Sequence, residues 1–461
     1  MLIIRLCGGL FKNLVLMEET LSTIHPHAAG IDIGSASVFV SVAGQAVESF
    51  GTFTSDYAML ISYLHLQQVE TVAMEATGVY WYCLYEMMER AGIEVYLVNG
   101  AHSKNVPGRK SDVKDSQWLR RLHSYGLLRK SFIPEEEVRQ LRTYTRLRED
   151  HIESASSHVQ HMQKALTSMN IRLHQVISQI NGVSGMRVLK AILAGERNAE
   201  HLLQLCDAQI IKKKGAQVIL SLEGHYKVEH LFALQQAVEG YEFYEQQRLA
   251  CDAQIEVLLK QINEHLPVPP DCPTLEQPKP ARHNQPRIEN LHALLVTANG
   301  GRDVATISGF SDKTVLKLMA EIGMNVDAWP TAAHFTSWLG LTPVTAQTGK
   351  TKRKKKNRAR TRAGQIFREA AMALAESKYL AIGSFYRRIR AKRGPKIAVM
   401  ATARKLAVQY YNLMKHGLQF VEQGIQKYEE KQKERMEKFL FKKAQELGYQ
   451  LVDLKTAEVV H

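Results

Sequence analysis

Cysteine is scarce in this 461-residue chain: Cys7, Cys83, Cys206, Cys251 and Cys272 lie far apart, with no Cys-x-x-Cys pair. That absence argues against a zinc knuckle and a disulfide framework, and it fits a reducing cytoplasm. No run approaches the roughly 18 consecutive apolar residues of a membrane span, so no membrane partner is expected. Met1 to Leu16 are rich in Leu, Ile and Val, but Lys12 interrupts them and no small-residue cleavage site follows. Residues 1–27 therefore read as a disordered or spurious extension, with the true start near Met17. Proline is sparse and uneven: seven of thirteen fall between Pro267 and Pro286. Such a run holds neither helix nor ladder, and 266–299 reads as a semi-rigid linker. Acids are the minority charge, 46 against 60 Lys and Arg, leaving +14. That imbalance points to a polyanionic partner, nucleic acid ahead of a membrane surface.

What is present is ordinary soluble-protein material, 45% apolar and 23% charged, enough for two or three domains. No repeat of solenoid period occurs. Over 28–130 strand and helix patterns alternate. Ile31–Gly34 and Val38–Val42 read as one bent strand or two, and a turn at Gly44 leads to a partner strand near Val47–Phe53. Asp56–Leu66 reads as a helix, Thr71–Ala76 as a strand, Trp81–Arg90 as a helix ending at Gly92, and Glu94–Val98 as a strand. This is the pattern of a mixed α/β sheet flanked by helices. Residues 131–265 are helical. Two long amphipathic stretches, from Val138 to Met169 and from Val228 to Ile262, predict an antiparallel coiled-coil arm or dimerisation bundle. Short helices punctuated by glycine fill the insertion at 181–227. Residues 300–425 read as a mainly α C-terminal domain, and 426–461 as a charged helical tail.

The chemistry concentrates in four acids. Alternation puts Asp32, in Gly-Ile-Asp-Ile-Gly, on the strand face opposite Ile31 and Ile33. Glu75 ends the apolar strand Val72-Ala73-Met74. A carboxylate inside such a strand is costly unless it is paired or metal-bound. Asp112 and Asp115 start a helix and share one face, about 4.5 Å apart along the axis. An Asp pair there also serves as a plain N-terminal cap and dipole complement. Four acids converging at one sheet edge repel unless neutralised, and two Mg²⁺ ions (Mn²⁺ as the alternative) would form the two-metal clamp used on phosphodiesters. Gly-Ile-Asp-Ile-Gly-Ser also suits the first phosphate loop of actin-like ATPases, but no second glycine-rich Asp loop follows.

From Lys350 to Arg362 nine of thirteen residues are Lys or Arg: Lys350, Lys352, Arg353, Lys354, Lys355, Lys356, Arg358, Arg360 and Arg362. So dense a block reads as a loop or arm on phosphates rather than packed structure. Four such contacts give a salt slope of ~−3.6, about 100-fold in affinity between 50 and 200 mM salt. Tyr379, Phe385 and Tyr386 lie nearby and read mainly as helix-core rings. Ile307-Ser-Gly-Phe310 before a helix at Lys313–Ile322 reads as half a helix–hairpin–helix or as a plain joining turn.

The ordered set Gly-Ile-Asp32, Met-Glu75-Ala-Thr-Gly-Val-Tyr80 and Lys110-Ser-Asp112-Val-Lys-Asp115 resembles the DEDD transposases of bacterial insertion sequences. Ile307-Ser-Gly-Phe310, Trp338-Leu-Gly-Leu-Thr-Pro343 and Ala401-Thr-Ala-Arg-Lys405-Leu extend the likeness to about 28–425. The resemblance implies an RNase H-like (RuvC-like) N-terminal domain and a metal-dependent DNA transposase or recombinase. It further implies a homo-oligomer, dimer or tetramer, in the bacterial cytoplasm, guided by a structured noncoding (bridge) RNA. In that family a serine directly before a glycine attacks the DNA strand, forming a covalent phosphoserine in a site shared between subunits. The matching residue here is Thr348, before Gly349. This is a departure, because the extra methyl crowds the phosphoryl transition state and stiffens χ1. The alternatives are a junction-resolving metal-dependent nuclease and a decayed nucleic-acid-binding protein.

Overall fold

The computed structural model describes residues 22–76, 78–100, 112–267, 284–342, 345–348, 351–354, 361–375, 377, 381–417, 433–434 and 437–449. The expectations for residues 1–21, for 268–283 and for Lys350, Lys355, Lys356, Arg358, Arg360 and Tyr379 lie outside the described residues. The chain divides into two compact units, Met1–Ile133 and Pro134–His461.

In the first unit, β-rich stretches separated by tight turns fold back on one another. Strands β1 (Ala28–Ile33), β2 (Val38–Val42) and β3 (Glu48–Phe50) form an antiparallel meander. The bent strand or pair read at 31–42 is thus two strands. Helix α1 (Thr54–Leu66) leads to β4 (Thr71–Glu75), α2 (Trp81–Arg90) to β5 (Glu94–Val98), and α3 (Asp112–Ser124) follows. β4 runs parallel to both β1 and β5, and the sheet order is β3-β2-β1-β4-β5. One face buries Ile31, Ile33, Val40, Val72, Met74 and Val95 against Tyr57, Leu60 and Leu64 of α1 and Leu84 and Met88 of α2. The other face carries Ala73 and Val98 under Leu119 of α3. Gly30 lies on that second face, where a Cβ would come within 2.3 Å of both the Ser116 carbonyl oxygen and the Arg120 nitrogen. The absence of a side chain is what lets α3 rest on β1.

The second unit opens with two long helices, α4 (Glu136–Ser168) and α9 (Val228–Glu264). Between them lie the short helices α5 (Leu173–Val176), α6 (Val183–Leu193), α7 (Ala199–Gln204) and α8 (Ala208–Ser221). Arg148 meets Asp252, Gly240 abuts His158, and Met162 shares a core with Leu234 and Val238. Position numbers fall on α9 as they rise on α4, so the pair is antiparallel. Asp252 is buried and holds the Arg148 Nε at 2.5 Å, the Arg248 Nη1 at 3.3 Å and the Arg287 N–H at 3.1 Å.

Helix α10 (Leu291–Ala298) lies within the stretch read as linker. Its Leu291, Leu295 and Val296 are buried, which rewards helix over tether. Beyond it come α11 (Asp312–Ile322), capped by Ser311, and α12 (Ala332–Trp338), capped by Thr331. Strands β6 (Thr345–Thr348) and β7 (Thr351–Lys354) then pair antiparallel. Helices α13 (Arg362–Ala373), α14 (Ala381–Arg393) and α15 (Pro395–His416) complete the fold, and the charged tail is helical over 437–446. Phe335, Phe367 and Tyr410, from three different helices, meet in the buried centre of this part, Phe335 stacked on Tyr410 and Phe367 edge-on to both. Tyr386 is buried, as its reading as a core ring requires.

Candidate active site

The parallel register Ile31↔Met74 places Asp32 beside Glu75 on neighbouring strands, and strand alternation aims both at the face covered by α3. On that face Gly30 seats Ser116, so Asp115, one residue earlier, and Asp112, one turn earlier, arrive over the ends of β1 and β4. Acids up to 83 positions apart in sequence thus come within range of Asp32's charge through one glycine contact and one strand register. The sequence pattern was readable because Asp32, next to last in β1, and Glu75, last in β4, are charges in otherwise apolar, buried strands.

The electrostatics of Asp32 record that convergence. Its carboxyl is pushed up to about 6, first by burial and then by the charges of Asp112, Asp115 and Glu75, with only the Ile33 backbone N–H opposing. The Glu75 carboxylate lies over Gly100, where a Cβ would stand 2.0 Å from Oε1. Gly30 and Gly100 are site-forming residues that inspection of acids alone does not reveal. Their only sequence signal is a glycine inside an apolar strand, two residues before Asp32, and another just past the end of an apolar strand. On the same face, Arg120 of α3 donates from Nε to Ser41 Oγ at 3.3 Å, tying the helix to β2.

The donor chemistry suits a hard divalent cation, since all four groups are carboxylates and their mutual repulsion is what a cation would relieve. Among the described residues, no three His, Cys, Asp or Glu side chains are drawn together closely enough to hold one ion as they stand. The acids are near enough to feel one another's charge and not yet gathered into a coordination shell.

Thr348 ends β6 and pairs with Thr351 of β7, so two residues, 349 and 350, join the strands. The basic block was expected to be a loop or arm; Lys352, Arg353 and Lys354 instead lie in strand β7. Arg362 opens α13 and is exposed, behind the N-cap Thr361 whose hydroxyl accepts from the Gly364 N–H at 3.0 Å. The Ile307–Phe310 segment turns through Gly309 at φ +87°, and that glycine packs under Leu374. No described helix is long and apolar enough to cross a membrane.

Against models of known families, residues 29–171 match a DEDD transposase model of the IS110 type. Residues 301–387 match a second model, described as the transposase IS116/IS110/IS902 family. The two matches fall in the order of the motifs in the sequence and contain all four acids and Thr348. No curated protein matches the chain.

Proposed function

The chain belongs to the IS110-type DEDD transposases, and on that premise we propose that it cleaves and rejoins DNA strands with Asp32, Glu75, Asp112 and Asp115 as one acidic centre. The observation that carries this reading is the β1–β4 register that sets Asp32 beside Glu75, near enough to Asp112 and Asp115 of α3 that burial first, and then the charges of these three acids, raise its carboxyl. The antiparallel β1–β3 meander continued by parallel β4 and β5 supports an RNase H-like, RuvC-like classification of the first unit.

Asp32, Glu75, Asp112 and Asp115 would hold two Mg²⁺ ions, or Mn²⁺ in their place, which when bound polarise the scissile phosphate and offset charge on the leaving oxygen. The chain's own groups do the rest. Glu75, propped over Gly100, and Asp32, fixed in β1, set the position of the acidic centre, and α3 delivers Asp112 and Asp115 to it. Thr348 supplies the attacking hydroxyl. Its Oγ1–P bond forms while one P–O bond to deoxyribose breaks, the hydroxyl proton leaves to a carboxylate or water, and the freed sugar oxygen takes up a proton. The resulting threonine phosphodiester is resolved by return attack of a sugar hydroxyl, which rejoins DNA without an external energy source. The basic residues from Lys350 to Arg362 are assigned to phosphate contacts. A structured guide RNA, a homo-oligomer and a cytoplasmic setting complete the proposal.

The test is a denaturing gel of full-length protein with labelled element-end DNA and Mg²⁺. A covalent adduct is expected that disappears in Thr348→Ala and forms faster in Thr348→Ser, where the crowding methyl is gone. An adduct that survives Thr348→Ala overturns the nucleophile. Cleavage without any adduct would instead favour hydrolysis by water, as in a junction-resolving nuclease. Cleavage retained in Asp32→Ala overturns the acidic centre, and absence of cleavage in the wild type supports a decayed binding protein. Sequencing nucleic acid that co-purifies with the protein tests the guide RNA.

A further inference from the structure

Family matching ends at residue 387, yet the charge pattern does not. From Ala381 to Gly417 the sequence holds nine Lys or Arg residues and no Asp or Glu. Helices α14 and α15 form a hairpin across this stretch, reversed at Gly394 with φ +82°. Ile382 and Tyr386 of α14 and Ala398 of α15 are buried, which fixes the inner side of the hairpin. Arg387, Arg390, Lys392 and Arg393 on α14, with Lys396 and Arg404 on α15, are exposed. The Arg387 guanidinium is already held by the Ser377 carbonyl and the Ser384 hydroxyl. The Phe385 ring sits between two further cations, with the Arg388 guanidinium 5.6 Å and the Lys405 ammonium 5.1 Å from its centroid.

A solvated helical face normally interleaves both signs of charge, and i,i+3 or i,i+4 neighbours of like sign repel. Here Arg387/Arg390, Arg388/Lys392 and Arg390/Arg393 fall at those spacings along α14, with no acid on either helix. The crowding is felt locally: Lys405 is pushed down to about 8 by burial and by the charge of Arg388. A polyanion of regular spacing relieves this repulsion, and duplex DNA presents about one charge per 1.7 Å of its axis.

We propose that the outer face of the α14–α15 hairpin, centred on Lys392, Arg393, Lys396 and Arg404, is a duplex-DNA backbone-binding surface additional to the basic block at 350–362. The proposal rests on the reading of the chain as an enzyme acting on DNA. It assigns these residues a sequence-independent grip that holds the duplex while chemistry proceeds elsewhere. Such contacts position and do not specify, so their signature is salt dependence rather than base preference.

The experiment is anisotropy of a labelled duplex of arbitrary sequence with the full-length protein across 50–200 mM KCl. Wild type is compared with Lys392→Gln/Arg393→Gln/Lys396→Gln/Arg404→Gln, whose thermal unfolding is checked in parallel. Four lost phosphate contacts flatten the log–log salt slope by ~3.6 and weaken low-salt binding by at least about tenfold. The charge-retaining Arg393→Lys/Arg404→Lys variant keeps the wild-type slope. An unchanged slope in the quadruple variant overturns the surface while leaving the function proposed above intact. Absence of DNA binding in the wild type overturns both. A quadruple variant that loses binding to duplex RNA or anionic vesicles, with DNA binding unchanged, overturns the assignment to DNA.

Discussion

Asp32 is half-buried and faces three other acids, so its charge carries a stability cost as well as a function. Its folded-state pKa, about 6, lies above the usual carboxylate value, so between about pH 4 and 6 the folded protein binds more protons than the unfolded chain. Stability contributed by this group is present below that window and is lost as pH rises through 6. His123 has the opposite sense. It is fully buried, its Nε2 lies 3.0 Å from Thr71 Oγ1, its ring stacks on His25, and burial pushes its pKa down to about 4. The unfolded chain therefore takes the proton first, and the stability His123 contributes falls as pH drops from about 6.5 to 4. In the wild type the two effects oppose each other. Asp32→Asn in metal-free buffer is expected to raise stability at neutral pH by about 1–2 kcal/mol, after allowance for solvent screening. Relative to the wild type, its stability should fall on acidification below pH 6, as measured by urea unfolding across pH. A difference curve that is flat in pH would show that neither burial nor the neighbouring acids raise the Asp32 carboxyl. Added Mg²⁺ should stabilise the wild type at pH 7 and lose that effect toward pH 5, as protons compete for the same oxygens. Of these residues, Asp32 was legible because a charge in an apolar strand is conspicuous. His123 was not, since a lone histidine near a helix end gives no hint of burial.

At the scale of elements, the two glycines that shape the acidic centre differ in what a methyl group would meet. At Gly30 it would meet the backbone of α3, at Gly100 the far end of the Glu75 side chain. Gly30→Ala must therefore move a helix and should destabilise by about 1–3 kcal/mol while displacing Asp112 and Asp115. Gly100→Ala should leave thermal stability nearly unchanged, because a flexible carboxylate can step aside, yet weaken Mg²⁺ binding measured by calorimetry. Equal losses of stability in both variants would contradict this division. Most elements were readable because their signals are local. Trp81–Arg90 and Glu94–Val98 were set by periodicity and by Gly92, and the structure has them at those limits. The β6–β7 hairpin was missed because like charges of high density argued for a solvated loop. The counter-signal was Thr348-Gly-Lys-Thr351, two short segments with threonines at their ends and a two-residue connection beginning with glycine. Helix α10 was hidden by its proline-rich neighbour, although Leu291-His-Ala-Leu-Leu-Val is apolar enough to bury.

For the whole molecule, each unit closes its core from its own residues, and each therefore makes a separate prediction. In the second unit, the antiparallel α4–α9 pair is pinned by Asp252 between Arg148 and Arg248, all three nearly inaccessible. Asp252→Ala takes the close acid from the buried Arg148 guanidinium, while Arg248 keeps Glu245 at 2.8 Å, and should cost about 3–5 kcal/mol in denaturant unfolding. In contrast, replacing the exposed pair partner Lys130 of Glu94 should change stability by less than about 1 kcal/mol. In the first unit every residue of both hydrophobic clusters lies between Ala29 and Ile133: the sheet, α1 and α2 form one, and Ala73, Val98, Leu119 and Leu128 the other. Among the described residues, nothing in those cores comes from beyond Pro134, and a chain of this length buries enough surface to fold alone. A fragment spanning residues 22–133 should therefore unfold in one cooperative transition, with a stability of about 5–10 kcal/mol. It should also retain the metal-dependent stabilisation, because all four acids lie within it. A fragment that is unfolded by circular dichroism would show that the first unit depends on the second. One that folds but ignores Mg²⁺ would separate the fold from the site and leave the four acids without the role their proximity suggests.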